Sequence, residues 1–221
     1  MKTKIFFSIS GLLVFIILSS LQTKIKVEVK KKPNIIFIAV DDLRPQLNCY
    51  GKNQIISPNI DDLASASYTY ENAVCNFPVC GASRASLLTG LRPNKNRFKT
   101  FHTRMDEDAN DVLTIGEWFK KNEYFTLSLG KISHHTNDSP ESWSIPAWRG
   151  EKNWRDYQTK ENIEAAETNN NNGAAEAFEV GENLIDDYGD TKMVNKAIEQ
   201  LDELTKKEQP FFMALGFLKP H

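Results

Sequence analysis

The chain has 221 residues, of which 40% are hydrophobic and 25% charged, so it can bury one sizeable core and comprises one or two domains. Its formal net charge is -2, from 27 basic and 29 acidic residues. This balance gives no overall positive field to hold a polyanion, which excludes nucleic acid as an expected partner and leaves any anionic ligand to locally placed cations.

The N-terminal residues predict an export signal. Lys2 and Lys4 precede an apolar run from Ile5 to Leu18, and the small polar pair Ser19-Ser20 follows. This order is typical of a secretory signal peptide, which we assign to residues 1–23. A retained membrane anchor is the alternative, but the run is shorter than the roughly 20 apolar residues that a spanning helix needs. We therefore expect a secreted or periplasmic protein that meets the membrane only through this segment.

Apolar segments further along the chain predict buried strands that alternate with helices. The predicted strands are 34–40, 124–129 and 211–215, and the predicted helices follow Ser57-Pro58 and cover 113–119 and 193–204. The strand segments are nearly continuous apolar runs, as expected where both faces of a sheet are covered. The helical segments carry apolar residues three and four apart. Alternation of this kind predicts an α/β fold with a largely parallel sheet flanked by helices.

Residues 132–190 show neither the helical nor the strand spacing of apolar residues, and they include the polar tract Asn169 to Asn172. The segment is too polar to be an obvious core element and unusually long for a plain connection. We expect a surface insertion, which either shapes a substrate pocket or is a solvated loop without a role.

Charged and imidazole side chains follow each predicted strand. They are Asp41 and Asp42 after the first strand, Lys131 and His134 after the second, and Lys219 and His221 after the third. Ligands of open parallel sheets bind beyond the carboxyl ends of the strands, so these residues are candidates for one site. Adjacent aspartates suit a hard divalent cation, although such a pair alone more often ends a strand or caps a helix.

The cations and imidazoles at these strand ends suit an anionic ligand. Ammonium groups can hold anionic oxygens, and a histidine can move a proton near neutral pH. His135 stands beside His134, and spacing alone does not decide which of them faces inward. His102 has no such context and is expected to be structural.

Cys80 opens the run Cys80-Gly81-Ala82-Ser83-Arg84, which continues into Leu87-Leu88-Thr89-Gly90. The chain has three cysteines, an odd count that argues against a disulfide framework and leaves at least one thiol for another task. A buried thiol with Arg84 as an incidental neighbour is the structural alternative. The run resembles the sulfatase signature, in which the cysteine is oxidised to formylglycine.

The resemblance extends from about Pro33 to the last residue. It is carried, in family order, by Pro33-Asn34-Ile35-Ile36-Phe37 with Asp41-Asp42, the Cys80 run, Gly130-Lys131 with His134, Asp138-Ser139-Pro140 with Ser142-Trp143-Ser144, and Lys219-Pro220-His221. The chain resembles the N-terminal part of a sulfatase of the alkaline-phosphatase-like superfamily, and within it the iduronate-2-sulfatase group. This likeness implies sulfate-ester hydrolysis on a sulfated glycosaminoglycan or related polysaccharide.

The resemblance also implies roles for individual residues. Asp41, Asp42 and Cys80 would bind calcium; Cys80 would be the precursor of the formylglycine nucleophile; Arg84 would steady it; and Lys131, His134, Lys219 and His221 would surround the sulfate. A formylglycine-generating maturation enzyme is the implied protein partner.

Two departures from the family pattern modify these expectations. Gly81-Ala82 stands where the family usually has a residue followed by proline. The chain also stops at His221, before the family's remaining metal ligands and a further lysine, so we expect a truncated core with an incomplete calcium shell and weak or no activity by itself. The alternatives are an inactive or binding-only fragment, and a phosphoesterase of the same superfamily, which would typically use threonine or serine in place of Cys80.

Overall fold

Three parallel strands form the sheet, in the order β1-β3-β2. They are β1 (Ile35–Val40), β2 (Phe125–Gly130) and β3 (Phe211–Phe217). In the central strand, Phe212 lies opposite Ile35 of β1 and Phe211 lies opposite Phe125 of β2. Each strand coincides with a predicted apolar run, since branched and aromatic side chains pack well on a pleated surface. The expected parallel α/β architecture is confirmed.

This computed structural model describes residues 31–150, 155–168, 175–182 and 185–221. Residues from Pro33 to His221 form one compact unit. The predicted signal segment, 1–23, lies outside the described residues. Within the described ranges, no helix combines the length and apolarity needed to cross a membrane.

The helices are α1 (Pro58–Ser65), α2 (Cys80–Thr89), α3 (Met105–Asp108), α4 (Ile115–Lys121), α5 (Lys160–Thr168) and α6 (Gly189–Leu204). The predicted helices correspond to α1, α4 and α6. Helix α4 begins with a capping box, in which Thr114 accepts from the Glu117 N–H and Glu117 accepts from the Thr114 N–H. The sequence pattern does not predict helix α2, because the residues of its motif do not form a wide apolar stripe.

One face of the sheet packs against α2, α4 and the loops around them, with Phe212 at the centre. The Phe212 ring is stacked with those of Phe119, Trp143 and Phe37, at centroid distances of 4.5, 6.3 and 6.4 Å. Ala82, Ala85 and Leu88 of α2 belong to the same hydrophobic core as these rings, which fixes α2 on this face of the sheet.

Helix α6 covers the opposite face. Its buried residues Met193 and Ala197 pack in one cluster with Leu127, Met213 and Leu215. The register places Leu127 opposite Met213 on neighbouring strands, so a single apolar helix face closes over β2 and β3.

The expectation that all of 132–190 lies at the surface is wrong for its first part. Ile132 and Trp143 are core residues, exposed by only 2% and 8%. After Trp143 the chain passes alongside β2, parallel to it. There the Trp148 N–H donates to the Ser128 carbonyl at 3.0 Å, and the Gly130 N–H donates to the Trp148 carbonyl at 2.8 Å. No sequence pattern predicts this pairing, because it is a single bridge without alternating apolar residues.

Glu179 joins two parts of the later segment. Its carboxylate accepts from the Gln158 N–H at 2.8 Å, from the Thr159 hydroxyl at 2.9 Å and from the Asn162 amide at 3.1 Å. Burial raises the pKa of this carboxyl, but the hydrogen bonds outweigh burial and lower its pKa from the ordinary 4.5 to about 2.

Replacing Glu179 with glutamine should therefore destabilise the chain by about 1–3 kcal/mol at pH 7, because an amide cannot accept all of these bonds. The folded pKa is depressed, so the carboxylate stabilises the fold above pH 4.5 and this contribution is lost as pH falls towards about 2. Urea denaturation from pH 7 to pH 3 should show the wild type and Glu179→Gln converging. Glu176→Gln, an exposed neighbour, is the control, and a constant difference across this pH range would contradict the assignment.

Candidate active site

Two consecutive aspartates, Asp41 and Asp42, follow the carboxyl end of β1. The Asp41 N–H donates to the Phe217 carbonyl of β3 at 3.0 Å, which continues the sheet by one residue, and the Asp41 side chain is buried. Asp42 adopts a left-handed φ of 55°, a conformation that aspartate tolerates better than most residues. The chain therefore turns sharply after Asp41, and the Asp42 side chain is 61% exposed.

Asp41 lies between two cations from different elements. Arg84 of α2 donates to its Oδ1 at 2.9 Å, and the Lys131 ammonium, just beyond β2, donates to its Oδ2. Burial raises the pKa of the Asp41 carboxyl, but the bonds from Lys131 and Arg84 prevail and hold that pKa below its ordinary value. Asp41 is thus a buried carboxylate that remains charged because two cations compensate it.

Two glycines allow the ends of β2 and β3 to approach closely at this point. The Lys131 N–H donates to the Gly216 carbonyl at 2.7 Å, and a side chain at Gly216 would overlap the backbone of Lys131. Gly130 has a φ of 72°, which a β-carbon would strain. Both glycines are therefore needed to bring Lys131 to Asp41.

Cys80 is the first residue of α2, and its Sγ lies 3.2 Å from Nδ1 of His134. The ring of His134, not that of His135, faces the thiol, which resolves the choice left open by the sequence. Burial is the main cause that lowers the pKa of His134, to about 4, and the charges of Lys131 and Arg149 add to it. The imidazole beside Cys80 is therefore uncharged at neutral pH.

Arg84 connects the two halves of this arrangement. It lies four residues after Cys80, one turn along α2, and is only 7% exposed. Besides Asp41, its guanidinium donates to the carbonyl oxygens of Lys131 and, at 2.9 Å, of Ile132. The predicted role of Arg84 in steadying residue 80 thus has a physical route, through the helix and the backbone that leads to His134.

Arg149 is a site residue that sequence reasoning missed. Its guanidinium donates to the His134 carbonyl at 2.9 Å and to the Ser133 carbonyl. Burial lowers the pKa of Arg149 to about 10, so it remains protonated at neutral pH. The bridge beside β2 places Arg149 at the same edge of the sheet as Lys131. No local pattern in the sequence predicts that bridge.

Replacing Arg149 with methionine should lower the free energy of unfolding by about 1.5–3 kcal/mol, because two backbone acceptors lose a charged donor. Arg149→Lys should recover only part of the loss, since one ammonium lacks the planar fork that bonds both carbonyls. Denaturant unfolding measures both values. Equal stability of the methionine and lysine variants would contradict the two-carbonyl clamp.

The carboxyl end of β3 brings His221 to the aspartates. Its Nδ1 lies 2.6 Å from Oδ2 of Asp42 and 3.5 Å from Oδ2 of Asp41. The turn after β3 is held by Asp190 of α6, a second residue missed from sequence, whose carboxylate accepts from the Leu218 and Lys219 N–H groups, each at 3.0 Å. The exposed Lys219 ammonium donates to the His221 carbonyl at 3.3 Å.

Asp41, Asp42 and His221 could hold a cation. Across the described ranges they are the one group of three acidic, cysteine or histidine residues whose ligand atoms converge, within 4.8 Å of one another. The two carboxylates fit calcium, which prefers oxygen ligands. The imidazole suits calcium less well, and its short hydrogen bond to Asp42 fits a residue that orients a ligand.

The structure thus places the sequence-predicted residues in three linked groups, and in the described part of the chain the ligand atoms that converge with Asp41 and Asp42 come from His221 and not from Cys80. These are Asp41 with Arg84 and Lys131, Cys80 with His134, and Asp42 with His221 and Lys219. The chemical roles assigned to them from resemblance remain predictions.

Comparisons with known proteins identify the family of this chain. The family model described as Sulfatase matches residues 33–221. Human iduronate 2-sulfatase is 37% identical over 195 residues, which cover 85% of this chain and 35% of that protein. A sulfatase of Formosa agariphila is 32% identical over 243 residues, which cover 100% of this chain and 45% of that protein. The chain therefore spans about a third to a half of the length of these curated relatives.

Solved structures share the fold. A protein in complex with its substrate D-glucosamine-2-N,6-O-disulfate is 24% identical, with a TM-score of 0.61 over 86% of this chain and 35% of the other. The phosphonate monoester hydrolase of Agrobacterium radiobacter is 20% identical, with a TM-score of 0.63 over 86% of this chain and 41% of the other. The expected alkaline-phosphatase-like sulfatase fold is confirmed. Since the family model covers all but the first 32 residues, the chain belongs to the sulfatase family.

Proposed function

We propose that this chain carries the reactive cysteine, the first calcium carboxylates and part of the sulfate site of an exported sulfatase that hydrolyses sulfate esters of carbohydrates. One observation carries the proposal. Cys80 begins the helix whose next turn supplies Arg84, and Arg84 bonds both Asp41 and the backbone of Lys131 at two strand ends. The signature cysteine, the carboxylate and the cation are thereby tied into one rigid unit.

Oxidation of Cys80 to formylglycine would supply the nucleophilic oxygen, and calcium held by Asp41 and Asp42 would supply Lewis-acid polarisation. The residues of the chain contribute binding and proton transfer. Lys131 offers a fixed positive charge to an anionic ester, and such preorganised charge stabilises a transition state more than solvent does. The uncharged imidazole of His134, within reach of residue 80, can accept a proton there.

The substrate and the cellular setting are part of the same proposal. Similarity to human iduronate 2-sulfatase supports a sulfated uronate-containing glycosaminoglycan or related polysaccharide. A maturation enzyme that generates formylglycine would be the protein partner. The basic and apolar N-terminal segment supports export to the periplasm or the medium.

The decisive experiment is mass spectrometry of the peptide that carries Cys80, after expression with a formylglycine-generating enzyme. We expect an aldehyde at Cys80 and unmodified thiols at Cys49 and Cys75, the matched internal controls, since all three cysteines are free. An aldehyde-reactive hydrazide should label the wild type and not Cys80→Ala. Recovery of the thiol at Cys80 from a host that converts a known sulfatase would contradict the proposal.

An assay with an aryl sulfate and calcium then separates the enzyme from a binding-only chain. Turnover that disappears in Cys80→Ala supports catalysis by this chain. Sulfate binding without turnover supports the binding-only alternative.

A further inference from the structure

We propose that Phe101 and His102 form an aromatic platform that stacks against the sugar ring of the sulfate ester, next to Cys80. The inference rests on the proposed function, and it names the part of the site that would hold the alcohol portion of the substrate.

The platform lies directly against the first turn of α2. A side chain at Gly81 would overlap the backbone of Phe101, so the loop that carries Phe101 sits on the residue that follows Cys80. The Phe101 ring is also placed edge-on to the His134 ring, with 6.3 Å between centroids. Since His134 contacts the Cys80 thiol, Phe101 is adjacent to both residues that would flank the reacting sulfate.

The same contact explains why position 81 carries a glycine. Gly81 occupies the position after the signature cysteine, and only a residue without a side chain permits the Phe101 backbone to pack there. Gly81 and Phe101 are therefore one feature, which brings the loop close to Cys80.

The loop is held rigidly, so the aromatic pair is presented in a defined position. Phe98 anchors its base with a fully buried ring and a left-handed φ of 58°, a conformation that persists only when the surroundings impose it. The His102 N–H donates to the Thr100 hydroxyl at 3.2 Å. At the other end of the loop, the Arg104 guanidinium donates to Oδ1 of Asn137 at 3.0 Å, in the segment that follows His134.

Exposure and chemistry indicate what the platform binds. Phe101 is 50% exposed although its loop neighbours Phe98 and Met105 are buried. The His102 ring packs against it at a tilt of 39°, with 3.9 Å between centroids, which adds a second aromatic surface beside Phe101. One face of a pyranose ring presents C–H groups that pack on such a surface, while its hydroxyls can bond to an imidazole. Lys131 would hold the sulfate of the same molecule.

Calorimetric titration in the presence of calcium tests this inference with two probes of equal charge, methyl sulfate and N-acetyl-D-glucosamine 6-sulfate. The purified chain should bind the sugar sulfate about three- to tenfold more tightly than methyl sulfate, the gain typical of one aromatic contact. Phe101→Ala should bind the sugar sulfate no more tightly than methyl sulfate, and its affinity for methyl sulfate should equal that of the wild type. Phe101→Trp should preserve the ratio.

Trp118→Ala is the matched control. Trp118 is 52% exposed on α4, which leads into the amino end of β2, so it lies away from the strand ends that form the site. If Phe101→Ala does not fold, Phe101→Leu keeps an apolar side chain without the ring and should also lose the ratio.

The outcomes separate this inference from the proposed function. An equal affinity of the wild type for both probes, or a ratio that survives loss of the ring, overturns the platform while methyl sulfate binding still supports the sulfate site. Absence of methyl sulfate binding overturns the sulfate site and the platform together.

Discussion

Replacing Arg84 with methionine should lower the free energy of unfolding by about 3–5 kcal/mol, the range found when one partner of a buried ion pair is removed. Arg84 and Asp41 are both buried, and the pair is 2.9 Å apart. The variant leaves Asp41 with Lys131 as its remaining cation and removes the charged donor from the carbonyls of Lys131 and Ile132. Urea denaturation followed by circular dichroism measures the change, and the slope with denaturant should stay constant.

The chain offers a matched control and a way to separate the contributions. Arg92 is exposed, so Arg92→Met should change stability by no more than about 0.5 kcal/mol. Combining Arg84→Met with Asp41→Asn should cost less than the sum of the single changes, because each single change already removes the Arg84–Asp41 ion pair, which the double variant can lose only once. A loss below about 1 kcal/mol in Arg84→Met would show that Arg84 is an incidental helix neighbour of Cys80, the structural alternative considered from the sequence.

The strands and their ends could be predicted from sequence because one local property governs them. Continuous apolar runs define β1, β2 and β3, and a parallel sheet necessarily gathers its carboxyl ends at one edge. This reasoning predicts that Asp41, Lys131 and His221 lie close together, and the structure places both Lys131 and His221 beside Asp41.

Residues positioned by tertiary contacts could not be predicted in this way. Arg149 reaches the site through a single backbone bridge beside β2. Asp138, which the family motif singled out, accepts from the Met105 N–H at 3.0 Å and so holds a short helix 33 residues away in sequence. Such contacts depend on which loops meet in space, and neither period nor spacing encodes that.

Phe101 belongs to the same class. Its sequence context shows an ordinary aromatic residue in a polar loop, and nothing local relates it to Cys80, 21 residues earlier. The sequence alone also gives no reason why position 81 must carry a glycine. The contact with the Phe101 backbone, which leaves no room for a side chain at position 81, supplies that reason.

The proposed calcium site predicts the second large effect. Calcium that binds the folded chain through Asp41 and Asp42 should stabilise it by about 2.7 kcal/mol at a concentration of one hundred times Kd. Asp42→Asn should weaken the affinity by about tenfold to hundredfold, because the site loses one ligand charge, and remove about 1.3–2.3 kcal/mol of this gain at the same calcium concentration. Thermal unfolding with and without calcium, together with calorimetric titration of calcium, measures both quantities.

The asparagine variant isolates charge from structure. Asparagine tolerates the left-handed φ of 55° at position 42 and keeps an oxygen that can accept from His221, so the turn after β1 should persist. Stability without calcium should therefore be nearly unchanged, and the loss should appear only when calcium is added. Asp111→Asn, at an exposed position, should retain the full calcium effect. An equal calcium response in the Asp42 and Asp111 variants would mean that the carboxylate pair at the end of β1 is not the calcium site, and that Asp42 serves only to end the strand and bind His221.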